Sequence, residues 1–142
     1  MPGSSLWLIP PKDSPLYHAI DHLINKDIPS HFPQTPTPPP HFYPHITLTS
    51  DISPPPTASP QQWLDTLPLP PTNNHTDDYI LRITILELEI GDIFFKKVTL
   101  RCEKTPALAE LAASCRAAAV GVEHDKAKAW AQDKYAPHLS LM

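Results

Sequence analysis

Apolar positions fall into short alternating runs broken by proline, with stretches of helical spacing between them. Residues 5–9 (SLWLI) are an apolar run stopped by Pro10-Pro11, the pattern of a short buried strand. Ser14 then suits a helix N-cap with Pro15 at the first position, and Leu16, Ile20, Leu23 and Ile24 recur at the spacing of one helical face. FYPHITLTS predicts a strand from its β-branched and aromatic content, and SPQQWLDTL a short helix capped by Ser59. Residues 78–104 alternate Leu81, Ile83 and Ile85 against Arg82 and Thr84, pass Gly91-Asp92 and resume an apolar run, which predicts a long β-hairpin. Thr105-Pro106 opens an alanine-rich helix to about Val120, with Leu108, Leu111, Ala112 and Cys115 inward. EHDKAKAWAQDKY predicts a second helix ended before Pro137, and HLSLM a final strand. Strands and helices interleave without the glycine punctuation of a doubly wound nucleotide-binding sheet, so the expected class is α+β with antiparallel sheet.

Composition narrows the picture. The 142 residues are one domain's worth of chain. Twenty prolines stand against three glycines, and eleven of the prolines lie between Pro29 and Pro60. Residues 29–42 and 53–60 are expected to be extended proline-rich loops, and PLPPTNNHTDD a third break. The formal net charge of −4 and the absence of Lys/Arg clusters argue against a long nucleic acid as partner, while leaving room for a small anionic ligand. No segment approaches the roughly 20 apolar residues of a membrane span, and no targeting signal is present, so a cytoplasmic protein is the default expectation. Cys102 and Cys115 are expected to be reduced, small apolar residues.

Candidate chemistry lies in a repeat. PHITL (residues 44–48) and PHLSL (residues 137–141) share a proline, a histidine, an aliphatic residue, a hydroxyl residue and another aliphatic residue. In a strand, alternate side chains share a face, so His45 and Thr47 point opposite to Ile46 and Leu48, and His138 and Ser140 opposite to Leu139 and Leu141. If the strands are near each other, two imidazoles and two hydroxyls converge. Two histidines can act as base and acid in one displacement, and two hydroxyls can donate to the non-bridging oxygens of a phosphate. Hydrolysis of a strained cyclic phosphodiester fits that set without a metal or other cofactor. One copy of the pattern is weak evidence; two by chance are expected about one time in a thousand or fewer by template counting.

Paired His-x-Thr-x and His-x-Ser-x motifs are the signature of the two-histidine phosphoesterases, and the chain resembles the fungal cyclic phosphodiesterases among them. SLWLIPPKDSPLY is similar to their first strand and helix, PHITLTSDI to the first motif, FFKKVTLRCEK to the strand before the long helix, and KYAPHLSLM to the second motif. The resemblance implies one bilobal domain over residues 1–142, with antiparallel sheets around a central cleft and helices flanking them. It implies His45 and His138 as the catalytic pair and Thr47 and Ser140 as phosphate binders. It further implies opening of nucleoside 2′,3′-cyclic phosphates to 2′-phosphates, ADP-ribose 1″,2″-cyclic phosphate (a tRNA-splicing by-product) as another substrate, a monomer as the working form, and association with the Golgi. Relatives usually continue past the second motif with a Tyr-Ser-Asp-like stretch. The second lobe is therefore expected to be short, and a final strand with nothing beyond it to fray. The rival expectations are a silent binder of nucleotide phosphates and a phosphoesterase acting on RNA ends.

Other residues have plainer readings. Tyr43 and Tyr135 each precede a motif's proline and either contact a base or ribose or pack the lobes. His18 and His22 have metal-ligand spacing but lie opposite the apolar stripe and face water. Lys96 and Lys97 are expected to protect a strand edge. Trp7, Trp63 and Trp130 are expected in the core.

Overall fold

The computed structural model describes residues 4–31, 41–52, 59–67, 81–91 and 98–142. Most of both proline-rich tracts, the third break, Lys96, Lys97 and the turn after Gly91 lie outside the described residues. The fold is α+β. Strand β1 is Ser4–Leu8, β2 Ile46–Ile52, β3 Ile85–Ile90, β4 Val98–Cys102 and β5 His138–Ser140; all described pairings are antiparallel, and the strands form one five-stranded sheet in the order β1-β2-β5-β4-β3. The two motif strands are direct neighbours in its centre.

Helix starts follow the predicted chemistry. Ser14, Ser59 and Thr105 accept from Tyr17, Gln62 and Leu108 backbone N–H groups, each with proline at the first helical position, to open α1 (Pro15–His22), α3 (Pro60–Asp65) and α4 (Pro106–Val120). Gly121 ends α4 at φ 75°, a conformation that favours glycine. Helix α5 spans His124–Asp133, and Lys104 Nζ donates to the carbonyls of Ala131 and Gln132 at its end.

Two details differ from the periodicity. Tyr17, not Leu16, joins Ile20 and Ile24 on the buried face of α1, while Leu16 is exposed. The tyrosine side chain, mostly aromatic ring, reaches a core position that an aliphatic count overlooks. Helix α1 also widens into a π-turn over Leu23–Asp27, where Ile28 N–H bonds Leu23 O, before a last short turn α2 (Ile28–Ser30). Pro29, expected to begin a loop, is therefore still helical. It has no N–H for the carbonyl four residues back, which accounts for the break in period.

The core has two parts. Leu48, Ile52 and Leu6 pack against Leu108, Leu111, Ala112 and Cys115 of α4 and Ala127 and Ala131 of α5; Ile46, Leu139, Leu141 and Cys102 pack against Ile20 and Ile24. Both cysteines are free and buried, and burial pushes the Cys115 thiol up to about 11. Strand β3 departs from the expected half-buried hairpin: it lies at the edge of the sheet and all six of its residues are exposed, with no described helix packed on either face. No described helix is long and apolar enough to cross a membrane.

Candidate active site

Each motif's alternation settles its side chains as the pleat requires. Ile46, Leu48, Leu139 and Leu141 are buried, whereas His45, Thr47, His138 and Ser140 are half-buried on the other side. Strands β2 and β5 pair through Ile46 and Leu139. One residue to either side of that pair, His45 comes opposite Ser140 and Thr47 opposite His138. Residues directly opposite have Cβ atoms about 5 Å apart and diagonal ones about 7–8 Å. The two imidazoles therefore occupy one diagonal of a small quadrilateral and the two hydroxyls the other, a spacing that admits a tetrahedral phosphate.

The two rings are held alike. His45 Nδ1 lies 2.6 Å from the Tyr43 carbonyl, and His138 Nδ1 lies 2.9 Å from the Ala136 carbonyl, in each case two residues back across a buried proline. A carbonyl oxygen can only accept, so Nδ1 carries the proton in both, and Nε2 is the nitrogen left to exchange one. The proline between carbonyl and histidine fixes φ near −65° and adds no competing N–H. Its place in both motifs thus has a physical reason that spacing alone does not reveal.

The expected frayed end is not what the fold builds. Strand β5 lies between β2 and β4, Cys102 N–H donates to the Pro137 carbonyl at 3.0 Å, and Leu141 N–H donates to the Val98 carbonyl at 2.8 Å. With Leu139 and Leu141 also buried, His138 is anchored on both sides.

Surroundings differ between the halves. Trp7, expected in the core, is instead 42% exposed and stacks on His45 with ring centroids 4.0 Å apart; Phe42 meets the same imidazole edge-on at 6.2 Å. Alternation carried that signal, since Leu6 and Leu8 turn to the core side and leave Trp7 paired with Thr47. Beside His138, its ladder partner Arg101 donates from Nη2 to Glu87 Oε1 at 2.6 Å and is 3.0 Å from Glu89 Oε1 through Nε. Those hydrogen bonds to Glu87 hold the guanidinium above its usual range.

Tyr43 is exposed and lines a cleft of ≈ 540 Å³ with Trp7, Phe42, Asp21, Asn25 and His41, immediately beside His45. Tyr135, the tyrosine ahead of the second motif, is enclosed by the protein. It is buried, packs on Trp130, and donates its hydroxyl to the Thr47 carbonyl at 3.0 Å, with burial raising its phenol. Of the two readings left open for it, packing is the one its position supports. His18 and His22 are exposed, and His22 contacts Asp27 at 3.0 Å.

Comparison with known proteins points the same way. A family model described as "Cyclic phosphodiesterase-like protein" matches residues 1–142. A Phaeosphaeria nodorum protein named 2′,3′-cyclic-nucleotide 3′-phosphodiesterase is 39% identical over 144 residues, covering 100% of this chain and 69% of its own length. Proteins of the same name from Neurospora crassa (33% identical; 100% of this chain, 71% of theirs) and Yarrowia lipolytica (30%; 99% and 72%) also match. No solved structure matches.

Proposed function

The chain belongs to the cyclic phosphodiesterase-like family, and from that membership we propose that it is a phosphoric diester hydrolase that opens nucleoside 2′,3′-cyclic phosphates to 2′-phosphates. One observation carries the mechanism: two imidazoles on one diagonal, each with Nδ1 tied to a carbonyl and Nε2 left for proton transfer. The cyclic phosphate lies over the quadrilateral with its non-bridging oxygens toward the Thr47 and Ser140 hydroxyls, which donate to the charge that builds up there. One Nε2, unprotonated, removes a proton from water as the water oxygen bonds phosphorus. The bond from phosphorus to O3′ breaks, and the other Nε2, protonated, delivers its proton to O3′. The histidines finish with exchanged protonation states and reset through solvent. The shared tautomer leaves either ring able to take either role.

No step calls on a metal or another cofactor. Both histidines come from one chain, so a monomer suffices, and the reaction lies where the two motif strands pair in a single sheet. ADP-ribose 1″,2″-cyclic phosphate presents the same five-membered cyclic diester, and its opening to ADP-ribose 1″-phosphate follows by the same steps.

The test is turnover of 2′,3′-cyclic AMP in the presence of EDTA, with the phosphate isomer identified by phosphorus NMR. Adenosine 2′-phosphate, formed by the chain and lost in His138→Ala, is the expected result. The 3′-phosphate as product, activity abolished by chelator, or a folded chain with no turnover would overturn the proposal.

A further inference from the structure

The cleft beside His45 has aromatic walls, Trp7, Phe42 and Tyr43, and one polar side made by Asp21, Asn25 and His41. Hydrogen-bond direction can be followed through that side atom by atom. Asn25 Nδ2 donates to Asp21 Oδ1 at 2.8 Å and to the Phe42 carbonyl at 3.2 Å; both partners only accept, so the amide orientation is fixed and its two hydrogens are engaged. Asn25 Oδ1 lies 3.0 Å from His41 Nδ1, and as an acceptor it makes Nδ1 the protonated nitrogen of neutral His41. What remains to face a ligand is acceptor capacity: Asp21 Oδ2, which has no partner among the described residues, and His41 Nε2.

Two further features bear on the occupant. Trp7 both walls the cleft and lies 4.0 Å from the His45 ring, so the cleft and the phosphate position are continuous within the length of one nucleoside. Asn25 sits in the π-turn over Leu23–Asp27, a local widening of the kind often found where a helix serves a ligand.

Resting on the hydrolase reading above, we infer that the Asp21–Asn25–His41 side is a base-reading wall, which selects cyclic nucleotides whose base presents hydrogen-bond donors. The base stacks among Trp7, Phe42 and Tyr43 and turns its polar edge to the wall. Guanine fits best, because N1–H and the N2 amino group form an adjacent donor pair for the two remaining acceptors, Asp21 Oδ2 and His41 Nε2. Adenine and cytosine offer an amino group alone. Uracil is the poorest fit, since its one N–H is flanked by two carbonyl oxygens that meet the acceptors of the wall.

The experiment pairs calorimetric binding of guanosine 2′-phosphate and uridine 2′-phosphate, to the wild type and to Asp21→Asn, with wild-type turnover of the corresponding 2′,3′-cyclic phosphates. The wild type is expected to bind the guanosine compound at least about tenfold more tightly, the scale of a charge-assisted contact. Asp21→Asn, whose amide donates as readily as it accepts, is expected to bring the ratio within about threefold by weakening guanosine binding. Asn25→Leu, which releases Asp21 and His41 from their fixed places, serves if the first variant loses its circular dichroism signature. Equal affinities in the wild type, a ratio untouched by a folded variant, or no binding of either compound would overturn the wall. Turnover of the uridine substrate reports on the reaction alone. Turnover without base preference removes the wall and leaves the hydrolase; preference in binding without turnover does the reverse.

Discussion

His45 and His138 each follow a buried proline and each bond the carbonyl two residues back, yet their surroundings have little in common. Trp7 lies flat on His45, Phe42 meets its edge, and an aromatic cleft opens beside it. His138 instead has Arg101 across the ladder, with that arginine's charge already taken up by Glu87 and Glu89. On the proposed mechanism, what is duplicated is the apparatus for moving a proton. The proposed recognition surface is on one side only, which would let a symmetric pair of acid–base groups act on a substrate that has a base at one end.

The sharpest way to break the comparison is to remove each histidine in turn. His45→Ala and His138→Ala are each expected to lower kcat by about 10²- to 10⁴-fold, and the double variant to lose little more than the worse single one. A large effect in only one would show that the halves do not share the chemistry. Next in size are the hydroxyls. Thr47→Val and Ser140→Ala are expected to cost about tenfold to a hundredfold in kcat/KM, measured on the same cyclic nucleotide, and by similar factors if the halves grip the phosphate equally.

Trp7→Leu addresses the difference rather than the likeness. It is expected to lower kcat/KM by up to about tenfold, the scale of one stacking contact, while leaving the thermal midpoint nearly unchanged because the ring belongs to neither core cluster. Tyr135→Phe gives the smallest change. The hydroxyl comes from the His138 side of the chain and props the backbone under Thr47, so its loss is expected to reduce stability by about 1–2 kcal/mol in urea unfolding with the substrate profile preserved. A changed base preference in this variant would return Tyr135 to the site.

Much of this was legible from residue pattern because it is local. Helix caps at Ser14, Ser59 and Thr105 need only a hydroxyl, a following proline and a short backbone reach, and the inner face of α4 needs only period 3.6. Alternation likewise placed all four motif side chains on the site face. What alternation does not encode is which strand lies next to which. The adjacency of β2 and β5, the edge position of β3, and the central position of β5 are decisions of the whole sheet. Trp7 shows the cost of reading residue type ahead of phase: a tryptophan in an apolar run suggests an inward side chain, although its neighbours Leu6 and Leu8 already occupy the inward phase. His41 carried no signal because its partner Asn25 is sixteen residues away in a different element.

Strand β5 also bears on the order in which this molecule becomes itself. In the described sheet it alone joins the β1–β2 pair to the β4–β3 pair, and its partner in β2, Ile46, lies 93 residues before Leu139. Each outer pair can form earlier without bringing the histidines together, whereas β5 inserts only after a long-range closure of the kind that makes folding slow. Partly assembled chains would hold all four motif residues without bringing them together. Recovery of activity during refolding is therefore a direct clock for the last step of sheet assembly, and is expected to lag the return of helical signal from α4 and α5.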